Sequence, residues 1–205
     1  MPSQPSSLQQ SRADTILTFW FGEPSAPNYG SYRQAWFSKR DDFDAQIRQH
    51  FLADYEKAAA GDYASWQDSP RHALALLLLL DQFPRNLFRG SPRSFATDAQ
   101  ALAVAQQLVE TGADKALMPV YRFFIYVPFE HSEVMAHQDR CVELMKDFIE
   151  TTPELDDGLK GGLDYAIRHR EVIERFGRFP HRNEILGRQS TPAEITFLQQ
   201  PGSRF

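Results

Sequence analysis

Cysteine is nearly absent. Cys141 stands alone in 205 residues, which excludes an internal disulfide and fits a reducing compartment. Long hydrophobic runs are missing too. The longest, residues 73–80, holds eight residues, too few to span a bilayer. The chain opens Met1-Pro2-Ser3-Gln4-Pro5-Ser6-Ser7, without the basic stretch and apolar run of a secretory signal. The membrane is therefore no expected partner, and cytoplasm is the expected location. A basic excess is lacking as well: 22 Lys and Arg face 27 Asp and Glu, a net charge of -5. Nucleic acid needs a basic face, so it is not expected as a partner either.

Signature motifs are equally scarce. The six histidines (His50, His72, His131, His137, His169 and His181) form no HExxH and no cluster with finger-like spacing, so no metal is expected. There is no GxSxG and no phosphate-cradling glycine loop, which leaves triad hydrolysis and nucleotide cofactors without support. Sustained period-2 alternation is absent, so a sheet is not expected.

What is present is aromatic and helical. Apolar residues make up 42% of the chain and sixteen are Phe, enough for a sizeable aromatic core. A polar tail over residues 1–10, expected to be disordered, precedes a single domain over residues 11–205. Apolar periodicity and stop signals predict an all-α fold of about nine helices, arranged as an antiparallel array. These cover residues 14–21, 32–37, 41–60, 70–83, 98–110, 118–127, 133–150 and 157–176, with the last one opening at the Thr191–Glu194 capping box. The helix after Ser69-Pro70 is apolar on every face and should be the buried central element. Cys141 falls among apolar neighbours and reads as inert packing.

Two stretches nearly repeat each other. Phe83-Pro84-Arg85-Asn86 leads to Gly90, and Phe179-Pro180-His181-Arg182-Asn183 leads to Gly187. Proline stops a helix, so each copy should present its Arg and Asn just past a helix end. Guanidinium is a planar fork suited to carboxylates and phosphates. Arg85, Asn86, Arg89, Arg178, His181, Arg182 and Asn183 are accordingly the candidate binding residues.

Several polar residues occupy apolar stripes. Asp81 follows Leu74, Leu77 and Leu78 on one helical face, at a C-terminus whose dipole opposes a carboxylate. It calls for a cation, either Arg85 or an arginine of the second stretch, and a structural ion pair is as good a reading as a functional one. Glu130-His131-Ser132-Glu133 lies at a helix junction. There His131 reads as an acid/base group oriented by a carboxylate, or simply as a residue packed beneath a cap made by Ser132 and Glu133. His169 shares a stripe with Leu163, Ala166, Ile173 and Phe176, so it points inward. His131, Glu130, His169 and Asp81 are the catalytic candidates.

Ile16-Leu17-Thr18-Phe19-Trp20-Phe21-Gly22, Trp36-Phe37, Asp81-Gln82-Phe83-Pro84-Arg85-Asn86, Arg89-Gly90, Pro128-Phe129-Glu130-His131-Ser132-Glu133 and residues 176–183 together resemble the bacterial domain-of-unknown-function family 924, over about residues 14–200. The resemblance implies an all-α fold similar to tetratricopeptide-like arrays, although the chain has no 34-residue repeat of its own. It implies no activity.

Three expectations stand side by side. A binding module would hold a small anionic molecule or an acidic peptide end on the clustered Arg and His. A hydrolase- or transferase-type enzyme would use His131 or His169 as base, with Asp81 or Glu130 orienting it. A scaffold would use every one of these groups structurally.

Overall fold

The computed structural model describes residues 7–204. Ten α-helical segments follow one another: α1 (Ser7–Phe21), α2 (Asp41–Ala60), α3 (Pro70–Leu80), α4 (Gln82–Leu87), α5 (Asp98–Glu110), α6 (Pro119–Glu130), α7 (Met135–Glu150), α8 (Asp157–Lys160), α9 (Gly162–Phe176) and α10 (Pro192–Leu198). α4 directly continues α3 and α8 leads straight into α9, so about eight rods make up the array, close to the nine expected. No strand occurs among the described residues. Residues 1–6 of the expected tail lie outside them, and α1 begins at Ser7.

Two helices form the centre. In α3 every residue from Ala73 to Leu80 is buried, as its all-round hydrophobicity implied. α6 is just as enclosed, from Val120 to Glu130. α1, α2 and α5 pack around α3, and the chain then continues α5–α6–α7–α9, each helix against the next. Aromatic rings fill the space between. Trp20 stacks on Trp36 at 6.1 Å and meets Phe83 and Phe124 at 5.5 and 5.6 Å. Each such pair adds about 0.5–1.5 kcal/mol beyond the area it buries. No helix among the described residues is long and apolar enough to cross a membrane.

Prolines and caps account for the differences from expectation. The central helix stops at Leu80 rather than 83. Asp81 breaks it, and α4 carries on through Pro84. Pro84 is the third residue of α4, where its missing N–H would have had no intrahelical acceptor. Arg85 and Asn86 thus sit inside a short helix instead of beyond one. α6 likewise runs on through Pro128 to Glu130. α7 starts at Met135, later than expected. Ser132 accepts the Val134 N–H at 3.2 Å and binds His137 Nδ1 at 2.8 Å, so it closes a turn ahead of the helix. Residues 32–37 contain only the 3-10 turn Gln34–Trp36. The capping box at Thr191 and Glu194 is present, with both reciprocal hydrogen bonds.

Candidate functional site

The first Phe-Pro-Arg-Asn stretch is α4. The second follows Gly177, which ends α9 in the left-handed conformation that glycine adopts without strain (φ +67°), and it forms the 3-10 turn Pro180–Arg182. The fold brings these two corners together on Asp98, the first residue of α5. Arg85 holds Asp98 with both ends of its fork, at 3.0 and 3.1 Å, and Arg182 Nη1 donates to Oδ2 of the same carboxylate at 3.3 Å.

Beside them, Asp81 is fully buried. It accepts from Gln82 at 2.6 Å and lies 2.7 Å from His131 Nδ1. Arg85 Nη1 stands 3.4 Å from its Oδ1 and also donates to its backbone carbonyl. Of the two cations weighed for Asp81, Arg85 is the one in contact, and Arg182 reaches Asp98 instead. The carboxylate that orients His131 is Asp81, not neighbouring Glu130. Glu130 faces His169, whose Nδ1 is 3.5 Å from Oε1 and 2.8 Å from the Tyr165 carbonyl.

Arg85, Arg182, His131, Glu130 and His169 border one cavity of about 690 Å³, within the usual range for small-molecule sites, while Asp81 and Asp98 stand behind them. Of the binding candidates, Arg85, Asn86, Arg89, His181 and Arg182 line it. Arg178 and Asn183 do not. Arg178 forks onto Glu194 at 2.7 and 2.8 Å, and Asn183 bridges Ser190 and Arg188. Asn86 and Arg89 are fixed by Asp44 of α2, at 2.7 Å for Asn86 and 2.6 Å for Arg89. Of the catalytic candidates, Glu130, His131 and His169 line the cavity, and Asp81 supports His131 from behind. No three His, Cys, Asp or Glu side chains gather into a metal-binding group among the described residues.

Sequence reasoning missed the acids that tie the corners down. Asp44 and Asp98 stand in the first turns of α2 and α5, where a carboxylate is already explained by the helix dipole, and that explanation hides a second use. By sequence alone Glu133 fits a helix cap. It instead accepts both ends of Arg188 at 2.7 and 2.9 Å and the Phe179 N–H at 2.7 Å, anchoring the second corner to the α6–α7 junction. The one available signal was that each corner carries more Arg than its own acids can neutralise.

Burial sets the protonation states. Burial pushes the Glu130 carboxyl up to about 8, and the Asp81 charge adds to this against the opposing pull of Arg85. Glu130 is therefore protonated at neutral pH. Burial also favours neutral Asp81, but Arg85 and the hydrogen bonds from His131 and Gln82 outweigh it, keeping this carboxyl well below the usual range. Burial, together with the Arg85 charge, lowers His131. Burial takes His169 well below its ordinary value and brings His181 down to about 3. All three imidazoles are neutral at pH 7. Burial and the nearby Arg85 bring even Arg182 down to about 10, so it stays charged. The cavity wall thus offers fixed cations, neutral imidazoles and a carboxylic acid that is not ionised.

A solved structure of a protein of unknown function from Agrobacterium tumefaciens is similar to this chain at 36% identity with a TM-score of 0.79, covering 93% of this chain and 98% of that one. No curated protein matches. The family described as "Bacterial protein of unknown function (DUF924)" matches residues 16–202, which include both corners, Asp81, Asp98 and the α6–α7 junction. The chain belongs to that family.

Proposed function

We propose that the cavity binds a small anionic molecule or an acidic peptide end in the cytoplasm, with Arg182 and Arg85 as the anion-holding pair. The observation that carries this is the state of Arg182. Arg182 is almost entirely buried (6% exposed), and its guanidinium lies 4.5 and 4.6 Å from the Phe95 and Phe179 ring centroids and makes one protein hydrogen bond among the described residues. Its Nε has no partner. A guanidinium carries five donors, and leaving a buried charged group under-bonded costs about 1–3 kcal/mol or more per group. An anion entering the cavity supplies the missing acceptors, and the lining Glu130, being protonated, does not repel it. Isothermal titration against inorganic phosphate and dicarboxylates tests this. A binder whose affinity collapses in Arg182→Ala is the expected outcome; a panel with no binder, or a binder indifferent to that change, overturns it.

A second reading has one observation in its favour, the 2.7 Å contact between buried Asp81 and Nδ1 of the cavity-lining His131. A carboxylate on Nδ1 fixes the tautomer and leaves Nε2 as the proton acceptor, the arrangement a general base needs. On this reading the anion is a substrate of a hydrolase- or transferase-type reaction. Turnover of any substrate in a panel, lost in His131→Ala with the fold retained, supports it. Equal turnover in the variant removes His131 from that role.

A further inference from the structure

The cavity has two ends of different chemistry, and the helices that line it give the distance between them. Along α6 and its C-terminal cap, Phe123, Val127 and His131 follow at steps of four and all three line the cavity, so they form one stripe. At 1.5 Å per residue, Phe123 and His131 are separated by about 12 Å along the axis. On α9, Gly162, Tyr165 and His169 likewise line it, and the stripe spans about 10 Å. Gly162 lies at the Phe123 end: a Cβ added there would stand 2.4 Å from Phe123 Cε2. His169 lies at the Glu130 end. Both helices therefore run from an aromatic end to a polar one.

The aromatic end is built from Phe37, Tyr32 and Phe123. Phe37 is 53% exposed, the largest exposure of any big hydrophobic side chain described. It is stacked parallel to Tyr32 at 5.8 Å and to Phe124 at 6.2 Å, and meets the edge of Phe123 at 6.1 Å. An exposed phenyl ring held in place by four others, Trp36 being the fourth, inside a concavity, is a preformed apolar surface. Gly158 serves the same end, since a Cβ there would come within 2.4 Å of the Tyr32 ring, so only glycine lets α8 close onto it.

Resting on the anion-binding reading above, we infer that the ligand is an amphipathic small molecule: a carboxylate or phosphate held at Arg85 and Arg182, joined to an aromatic or acyl body reaching on the order of 10 Å to Phe37, Tyr32 and Phe123. Inorganic anions and short dicarboxylates fill only the polar end. The apolar body is what makes use of a cavity this size.

Matched titrations of the purified protein test it. One series runs acetate, hexanoate, octanoate and uncharged 1-octanol; the other pairs inorganic phosphate with phenyl phosphate. The expected result is octanoate at least tenfold tighter than acetate, or phenyl phosphate at least tenfold tighter than phosphate, with the gain erased in Phe37→Ser and all binding weakened in Arg182→Ala. Whichever series responds identifies the head group. Phe37 is about half exposed, so its replacement should lower stability modestly without unfolding the chain, which circular dichroism verifies. Small and large anions binding equally, with dependence on Arg182, would overturn the amphipathic inference and leave anion binding standing. Octanol binding as tightly as octanoate, indifferent to Arg182→Ala, would overturn anion binding itself, as would the absence of any binder.

Discussion

The two corners share letters and differ in bonding. In the first, Pro84 lies within a helix and Arg85 makes three hydrogen bonds: it forks onto Asp98 and donates to the Asp81 carbonyl, and it also faces the Asp81 carboxylate. In the second, Pro180 opens a 3-10 turn, and Arg182, more deeply buried, makes one hydrogen bond of 3.3 Å. A repeated motif thus supplied two guanidiniums to one carboxylate, and the carboxylate satisfies only one of them. Arg85 has the bonding of a structural residue that also borders the cavity. Arg182 has the bonding of a residue waiting for an acceptor.

The sharpest way to break this contrast is to remove each arginine in turn. Arg85→Ala strips the cation from buried Asp81 and half the neutralisation from Asp98, and breaking a buried pair costs about 3–5 kcal/mol. For a chain of this length that corresponds to a fall in Tm of roughly 10 °C, read by calorimetry or circular dichroism. Arg182→Ala removes a buried cation that is poorly compensated, so Tm should move by only a few degrees, about 1 kcal/mol or less. Equal losses in the two variants would mean that the corners are energetically alike and that the asymmetry in hydrogen bonds carries no weight.

The second effect is on binding. If Arg182 is the unsatisfied donor, its loss should weaken any anion at least about tenfold, since hydrogen bonds between charged groups contribute roughly 1.5–3 kcal/mol. Titration calorimetry on Arg182→Ala measures this at a temperature where the variant is fully folded. A stable variant that binds as well as the parent would assign Arg182 to the scaffold.

Much of this was legible in the sequence, and the rest was hidden for identifiable reasons. The all-α class, the buried α3, inward-facing His169, buried Cys141 and the Thr191 capping box all follow from periodicity and cap chemistry, which are local. The juxtaposition of Arg85 with Arg182 depends on Asp98, 84 residues from the latter, and no spacing rule reaches that far. Proline alone does not place a helix break, because its cost depends on whether its N–H would have had an acceptor and on what the helix buries. Pro84 sits in a first turn and forgoes no bond, whereas Pro128, the tenth residue of α6, gives up a bond to the Phe124 carbonyl, a cost that the burial of this helix outweighs. The division of labour within the second corner was also out of reach: Arg178 and Arg182 look alike in sequence, yet Glu194 satisfies the first with two bonds.

The protonated acid between the corners gives a third test. Glu130 has a pKa of about 8 in the folded chain, raised by burial and by Asp81, against an ordinary value near 4.3 in the unfolded one. Between those values the folded state holds a proton that the unfolded state has released, so stability falls as pH rises through this window. Glu130→Gln keeps the shape without the titration. Its stability should exceed that of the parent by roughly 1–3 kcal/mol above pH 8 and converge with it near pH 4, as urea denaturation across pH would reveal. Opposing this, His131, His169 and His181 are lowered by burial, so their contribution is lost as pH drops below the ordinary histidine value. A parent profile that keeps rising from pH 5 to 9, unchanged in Glu130→Gln, would mean that Glu130 is ionised beside Asp81 and that the cavity is less hospitable to anions than proposed.

The smallest effect separates the asparagines. Asn86 donates to Asp44 at 2.7 Å beside the cavity, while Asn183 donates to Ser190 and accepts from Arg188 away from it. Each is buried, so each alanine variant should lose about 1–2 kcal/mol of stability from unmade hydrogen bonds. Binding should distinguish them. Asn86→Ala frees the Asp44 carboxylate to take Arg89 more tightly and should weaken an anion by a fewfold at most, whereas Asn183→Ala should leave its affinity unchanged. An affinity loss in Asn183→Ala as large as that in Arg182→Ala would show that the 3-10 turn itself, through the Arg188–Glu133 anchor, sets the position of Arg182. The second corner would then be as tightly built as the first, and the missing acceptors at Arg182 would reflect a rigid turn holding it short of better partners.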